Sequence, residues 1–302
     1  MHGGRSGKQS GRCARTGDGC KPWNADPMEP KLQRRIQRYG WDLAAPDYEA
    51  LWQAQLACAQ SKMLEGVAIA RGERVLDVAC GTGLVTFRAA AAVGPGGYVV
   101  GTDISGEMTD VARVRAHQRG LTNTVFHRME AERLALPNAA FDVALCALGL
   151  MYVTDPIDAV RELRRVVRPR GRIGLAVWGE RSRCGWAAVF PITEAEVSSD
   201  VCPLFFSLGR HDALARVCEQ AGLIDVETHR IDTLLDYPNA REASDAAFVG
   251  GPVALAWSRF DETTRLRVRE RYIHAISPWQ DGEKFRVPGE FVVVTASVPP
   301  EP

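Results

Sequence analysis

The residues with the most chemical content lie in one run, V-L-D-V-A-C-G-T-G, from Val75 to Gly83. A β-branched stretch ends there in a glycine-containing turn, and a helix-forming stretch follows it. Glycine suits such a turn because a Cβ would keep the backbone away from a ligand at the carboxyl end of a strand. Asp103 closes the next strand-like run twenty-two residues after Gly81, where a carboxylate accepts both hydroxyls of a ribose. Three readings share this pattern: a tight turn that binds nothing, a dinucleotide loop, and a loop for a nucleoside without a pyrophosphate. A dinucleotide loop reads G-x-G-x-x-G so that the pyrophosphate sits on the helix N-terminus. Here Thr86 takes the third glycine's place, and Asp77 lies on the strand just upstream. An acidic group there repels a pyrophosphate and suits a ligand bearing an ammonium and a sulfonium.

The elements that must position these residues follow from the alternation of β-branched runs and helical stretches, which predicts parallel βαβ units. The strands are expected at 74–80, 98–104, 123–129, 141–148 and 172–178, five strands of a doubly wound sheet. Helices are expected after Gly83, from Gly106 to about Arg119, and over 155–168, with Asp155 and Pro156 in the first turn of the last and Pro169 and Gly171 ending it. Beyond Trp178 the pattern predicts a helix over 211–221 capped by Gly222, a strand over 225–232 and a final strand over 290–298. Upstream, Leu32 to Gly66 reads as helical, with aromatics at Tyr39, Trp41, Tyr48 and Trp52. The expected organisation is a disordered leader over 1–27, a helical cap over 28–66, and one domain over 67–302 with lid candidates inserted at about 181–208 and 239–285.

Composition narrows the classes. A chain of 302 residues that is 46% apolar holds a large core. Its 37 basic and 37 acidic residues balance, so no global field calls for nucleic acid, and a small, modestly charged partner is expected. The longest apolar run, Phe141 to Val153, is interrupted by Asp142 and falls short of the ~20 residues of a spanning helix, so no membrane span is expected. The eight cysteines are irregularly spaced, with no C-x-x-C pair and no metal-binding pattern; they read as reduced thiols of a soluble cytoplasmic protein. A homo-oligomer is compatible with this composition.

Further motifs stand at fixed distances from the first: G-T-D-I-S with Met108, then M-E-A-E-R-L-A-L-P-N-A-A-F-D, then F-D-V-A-L-C-A-L-G-L-M-Y-V, and finally V-R-P-R-G-R-I. Together they resemble the class I S-adenosylmethionine-dependent methyltransferases, and within them small-molecule enzymes similar to the quinone-biosynthesis C-methyltransferases. The resemblance runs from about Leu51 to Ser297 and is densest from Val75 to Trp178. It implies a Rossmann-like α/β fold: a doubly wound seven-stranded sheet, mostly parallel with an antiparallel last strand, preceded by N-terminal helices and carrying helical lid insertions. It implies S-adenosyl-L-methionine as cofactor, with Asp77, Ala79, Gly81 and Gly83 against the methionine half. Asp103 would hold the ribose, Ile104 and Met108 would flank the adenine, Glu130 and Ala131 would stand at the adenine amino group, and Cys146 would lie beside the cofactor. Glu130 departs from the aspartate usual in relatives, and Arg170 from the usual glycine.

Methyl transfer from a sulfonium is an in-line displacement that needs no covalent enzyme intermediate, only donor and acceptor held close in a dry site. The acceptor wall is expected from the N-terminal aromatics, from Leu150, Met151 and Tyr152, and from Trp186, Phe190, Phe205 and Phe206; it suits a small apolar or aromatic acceptor, and ordinary packing under a lid accounts for the same residues equally well. His211, His229 and His274 are the histidines of the C-terminal half, and none of them is singled out as a catalytic base. Two other functions share these features: a methyltransferase fold put to non-methylating use, as a cyclase or a supporting subunit, and a nicotinamide-dependent oxidoreductase.

Overall fold

The computed structural model describes residues 29–197 and 205–301. The expected leader at 1–27, with Cys13 and Cys20, and Cys202 in the first insertion lie outside those residues.

The chain enters as one 38-residue helix, α1 (Pro30–Val67). Trp52, Leu56, Ala59, Met63 and Val67 recur at three- and four-residue steps and are buried, so one stripe of the helix faces the core. Pro46 lies inside α1. Its missing N–H costs a helical bond, yet Ala44 and Ala45 beside it are fully buried, and packing holds the helix continuous. Against α1 stands the sheet: β1 (Arg74–Val78), β2 (Tyr98–Asp103), β3 (Thr124–Arg128), β4 (Phe141–Ala147) and β5 (Val167–Trp178) are parallel. Their crossover helices are α2 (Leu84–Val93), α3 (Gly106–Gln118) and α4 (Pro156–Val166). The last ends two residues earlier than the sequence predicts. Pro169 disfavours a helical conformation at Arg168, and Val167 closes the helix onto the Leu163 carbonyl before entering β5.

The short helices α5 (Val189–Glu194) and α6 (Ala213–Gln220) precede β6 (Ile224–Tyr237). The second insertion folds as α7 (Ala240–Phe248), α8 (Ala254–Arg259) and α9 (Glu262–Ile276), knit by the Phe248 ring stacked on Trp257 and edge-on to Tyr272. Strand β7 (Gln280–Asp281) and β8 (Lys284–Ser297) complete the chain. The order is β3-β2-β1-β4-β5-β8-β6, with β8 antiparallel to both neighbours as expected, and β7 is a two-residue addition that pairs β8. Strands β6 and β8 outrun their predicted lengths because they pair with each other from Ile224↔Ser297 to Tyr237↔Phe285; a ladder satisfies backbone in segments too polar to read as strand. No helix among the described residues is long and apolar enough to cross a membrane.

Two contacts press α1 onto its partners. Gly174 of β5 has no Cβ where one would come within 2.9 Å of both Val67 and Met63, so the helix seats directly on the strand. At the other side, Glu49 is ion-paired with Arg115 and, at 3.7 Å, with Arg119, both at the C-terminal end of α3. The Glu49 side chain is mostly buried, so Glu49→Gln is expected to lower stability by about 1–2 kcal/mol, read as a shift of the urea midpoint at constant slope.

Candidate active site

Strand order reverses on the two sides of β1, since β2 lies on one flank and β4 on the other while both crossovers leave from the carboxyl ends. Open α/β sheets place ligands at such a point. A cavity opens there, walled by Ala79 and Gly81 after β1, Asp103 and Ile104 after β2, Met129 and Ala131 after β3, and Leu148 and Gly149 after β4. Helix α1 roofs it with Arg34, Gln37, Trp41 and Tyr48.

The backbone at the floor is held in the left-handed region at Ala79 (φ 56°), Gly81 (φ 54°) and Leu148 (φ 61°). For Ala79 and Leu148 that conformation is a local strain held by its surroundings. At Gly81 a Cβ would meet Tyr48 and the Met108 sulfur only at ordinary contact, 3.7 and 3.9 Å away, and it is the left-handed backbone that favours glycine there. Asp103 fixes this turn to its neighbour: Gly81 N–H donates to one carboxylate oxygen and Ser105 N–H to the other, both at 2.9 Å. Ser105 caps α3 through Met108 N–H and donates its hydroxyl to Asp42 of α1 at 2.6 Å.

Of the residues singled out from the sequence, Ala79, Gly81, Asp103, Ile104, Met108 and Ala131 come together in this wall. Asp77, Gly83, Glu130 and Cys146 do not line it. Asp77 is buried behind the turn and accepts from the Thr86 hydroxyl at 2.6 Å. Gly83 caps α2 with the Phe87 ring against it. Cys146 is buried at the end of β4, its thiol pushed up to about 12 by burial and by Asp77. Glu130 is half exposed, ion-paired with Arg34 at 3.5 Å, and borders a separate groove. In its stead Glu132 faces the cavity, accepting from Thr154 N–H at 2.9 Å and the Thr154 hydroxyl at 2.6 Å. Glu132, Arg34 and Gln37 join the wall as well, and in the sequence only the M-E-A-E spacing and the helical phase of α1 carry any signal for them.

A second, smaller apolar cavity shares Trp41, Tyr48, Leu148 and Tyr152 with the first and adds Trp52, Met151, Trp178 and Trp186. Leu150, Phe190, Phe205 and Phe206, expected in the same wall, are buried outside its lining, the three phenylalanines packing around Trp186. His211, His229 and His274 line neither cavity. Among the described residues no cluster of His, Cys, Asp and Glu is arranged to hold a metal ion.

The electrostatics run one way. Burial, opposed by hydrogen bonds from Thr86 and helped by the nearby Asp103 charge, raises the Asp77 carboxyl to about 7. Burial likewise lifts Asp103 to about 6 against its backbone hydrogen bonds. The Tyr48 phenol is pushed far above its ordinary range by burial, then by Asp103 and Asp77. The two buried carboxyls polarise the cavity negatively, so a cation placed in it is favoured and an anion opposed.

The comparisons with known proteins fall on the same segment. Residues 75–171 match a family described as a methyltransferase domain. Over 103 residues the chain is 45% identical to the ubiquinone/menaquinone biosynthesis C-methyltransferase UbiE of Ectopseudomonas mendocina, a match covering 34% of this chain and 40% of that protein. It is 29% identical over 209 residues to the ubiquinone biosynthesis O-methyltransferase of Aromatoleum aromaticum, covering 68% of this chain and 85% of the relative. The chain thus spans less than half the length of the C-methyltransferases it matches. Among solved structures, the [4+2]-cyclase SpnF aligns with a TM-score of 0.58 at 22% identity, covering 89% of this chain and 97% of that one. A phosphoethanolamine N-methyltransferase 2 from Haemonchus contortus aligns with a TM-score of 0.58 at 15% identity, covering 89% of this chain and 60% of that one. At these identities the structures share the fold.

The raised Asp77 carboxyl carries a linkage with a definite sign. Its folded value, about 7, lies above the ordinary 3.8, so the native state holds the proton more tightly, and that stabilisation is lost as pH rises through about 7. Asp77→Asn is therefore expected to gain stability relative to the parent chain as pH increases from about 5 to about 8, measured by urea unfolding of both proteins at each pH; a constant difference would show Asp77 to be ionised throughout.

Proposed function

Starting from a chain that carries a class I S-adenosylmethionine-dependent methyltransferase domain with partial homology to the UbiE quinone C-methyltransferases, we propose that this protein transfers the methyl group of S-adenosyl-L-methionine to a small apolar or aromatic acceptor. The observation that carries the reading is the negatively polarised cavity over Asp77 and Asp103. S-Adenosyl-L-methionine, the methyl donor of the family, supplies an electrophilic methyl on a sulfonium.

The residues present fit that group. Asp103 spends one hydrogen bond of each carboxylate oxygen on the backbone and keeps acceptor capacity for the two ribose hydroxyls. Ile104, Met108 and Met129 give flat apolar surface for a base, with Ala131 and Glu132 at its edge. Gly81 and Ala79 leave room for the amino-acid half, and Asp77 acts on it through its field, from behind the turn, rather than by contact. Gly83, Glu130 and Cys146 support this arrangement from outside the wall. The aromatic cavity that begins at Tyr48 and Tyr152 and ends at Trp178 and Trp186 takes the acceptor, excluding water so that the reacting atoms meet in line. In this reading 28–66 is a helical cap on a catalytic domain over 67–302, and the insertions at 181–208 and 239–285 contribute Trp186 and the Gly251-Pro252 edge of the acceptor cavity.

Turnover is the decisive test, because the same fold also serves a [4+2]-cyclase. Incubation with S-adenosyl-L-methionine and a panel of phenolic, quinol and amine acceptors is expected to release S-adenosylhomocysteine with at least one of them. Calorimetry is expected to show binding of S-adenosyl-L-methionine and none of NAD; the reverse would remove the proposal. Asp103→Ala is expected to weaken cofactor binding by ~1.5–3 kcal/mol, the value of lost hydrogen bonds to a charged group, and an unchanged affinity would detach Asp103 from the ribose.

A further inference from the structure

The first third of α1 does two things at once. Its inner side roofs the cavity through Arg34, Gln37 and Trp41. On its outer side Leu32, Ile36, Tyr39 and Leu43 follow at steps of four, three and four residues, which places them on one line along the helix. A surface helix of a water-soluble domain carries polar residues on that line. Here Leu32 is 46%, Tyr39 41% and Leu43 47% exposed, and Ile36 is half-buried.

A basic groove runs along one flank of this ridge. It is lined by Lys31, Arg34, Arg35, Arg38, Arg128 and Arg133, and Glu130 is the one acid among its walls. Arg34 is paired with Glu130 and Glu132, both at 3.5 Å. Among the described residues the other five cations pair with no carboxylate. Arg38 and Arg35 instead lie 4.5 and 5.8 Å from the Tyr39 ring centre, so charge and apolar surface are interleaved. In a chain whose formal charges sum to zero, this is a local concentration.

We propose that this face of α1 docks the protein on an anionic lipid surface, with Leu32, Ile36, Tyr39 and Leu43 in the headgroup–acyl boundary and the arginine groove against lipid phosphates. The pairing of an apolar ridge with a cationic flank matches the two components of such an interface. A polyanion such as RNA would use the cations and leave the leucines in water. A second copy stacked on the same face would bring two cationic flanks together, which costs free energy. The preceding residues 1–28 carry Arg5, Lys8, Arg12, Arg15 and Lys21 against Asp18 and Asp26, so they too have the wrong sign to cover a basic face. The groove and the cavity share Arg34, Ile104 and Met129. Docking therefore sets the mouth of the cavity at the lipid surface, a consequence that matters for an apolar acceptor only if the proposed function holds; the docking itself does not rest on it.

The test is co-sedimentation of the full chain with phosphatidylcholine vesicles, with and without phosphatidylglycerol, at low and high salt. The chain is expected to sediment with the anionic vesicles at low salt and to be released by salt. Arg35→Glu combined with Arg38→Glu is expected to weaken the partition by ~30-fold or more, at about 1 kcal/mol per cation near the surface. Leu32→Ser combined with Leu43→Ser is expected to weaken it by about tenfold through lost apolar burial, with unchanged thermal midpoints as the check on folding. No binding above the neutral vesicles overturns the proposal, and this arm needs no variant. Loss with the arginine pair alone points to a generic polyanion site and also overturns it. A parent chain that elutes as a dimer and becomes monomeric on leucine substitution assigns the face to a second copy instead.

Discussion

Two carboxylates held out of water beneath one cavity constrain everything around them. Asp77 and Asp103 are both buried, and a desolvated carboxylate is costly unless its oxygens are hydrogen-bonded. The turn after β1 meets part of that cost: Gly81 donates its backbone N–H to Asp103, and Thr86 in the first turn of α2 donates to Asp77. The burial that remains unpaired shows as carboxyls raised to about 7 and about 6. The same groups that make the loop expensive make it selective, because a bound cation supplies the missing counter-charge.

The roof is fitted to that floor. Asp42 accepts from the Ser105 hydroxyl, and Ser105 also binds Asp103, so α1 is tied to the carboxyl end of β2 through a single serine. Glu49 ties the same helix to α3. Tyr48 sits between these two fastenings and Trp41 about two turns before it, edge-on to each other, with Trp41 also edge-on to Tyr152. The aromatic side chains of the roof thus continue from the charged cavity into the apolar one without a break. Trp52, Trp178 and Trp186 close the far end.

Local signals made the first five strands, the Gly81 turn and Asp103 legible in the sequence, since each is fixed by residues within a few positions. The family resemblance added the antiparallel β8, and periodicity alone could not have placed it. What was not legible depends on long-range partners. The extra length of β6 and β8 comes from their mutual ladder. Glu132 rather than Glu130 faces the cavity because Glu132 is anchored by Thr154, twenty-two positions later. Asp77 was legible as an acid at the turn, but its position behind the wall follows from Thr86 drawing it toward α2. The aromatic residues of the first insertion divide similarly: Trp186 lines the cavity, whereas Phe205 and Phe206 pack behind the lining, against Trp186 and, for Phe205, against Tyr152.

The unbroken run of α1 past Pro46 means that groove, cavity and core are read from one rod. Adding or deleting a single residue between Tyr48 and Trp52 would rotate the whole upstream portion by about 100° relative to the sheet. Trp41 and Gln37 would swing away from the cavity while Leu32 and Leu43 turned toward it. The length of this element is thus restrained far more tightly than the identity of its outward residues, and variation among relatives should enter it by replacement and not by insertion.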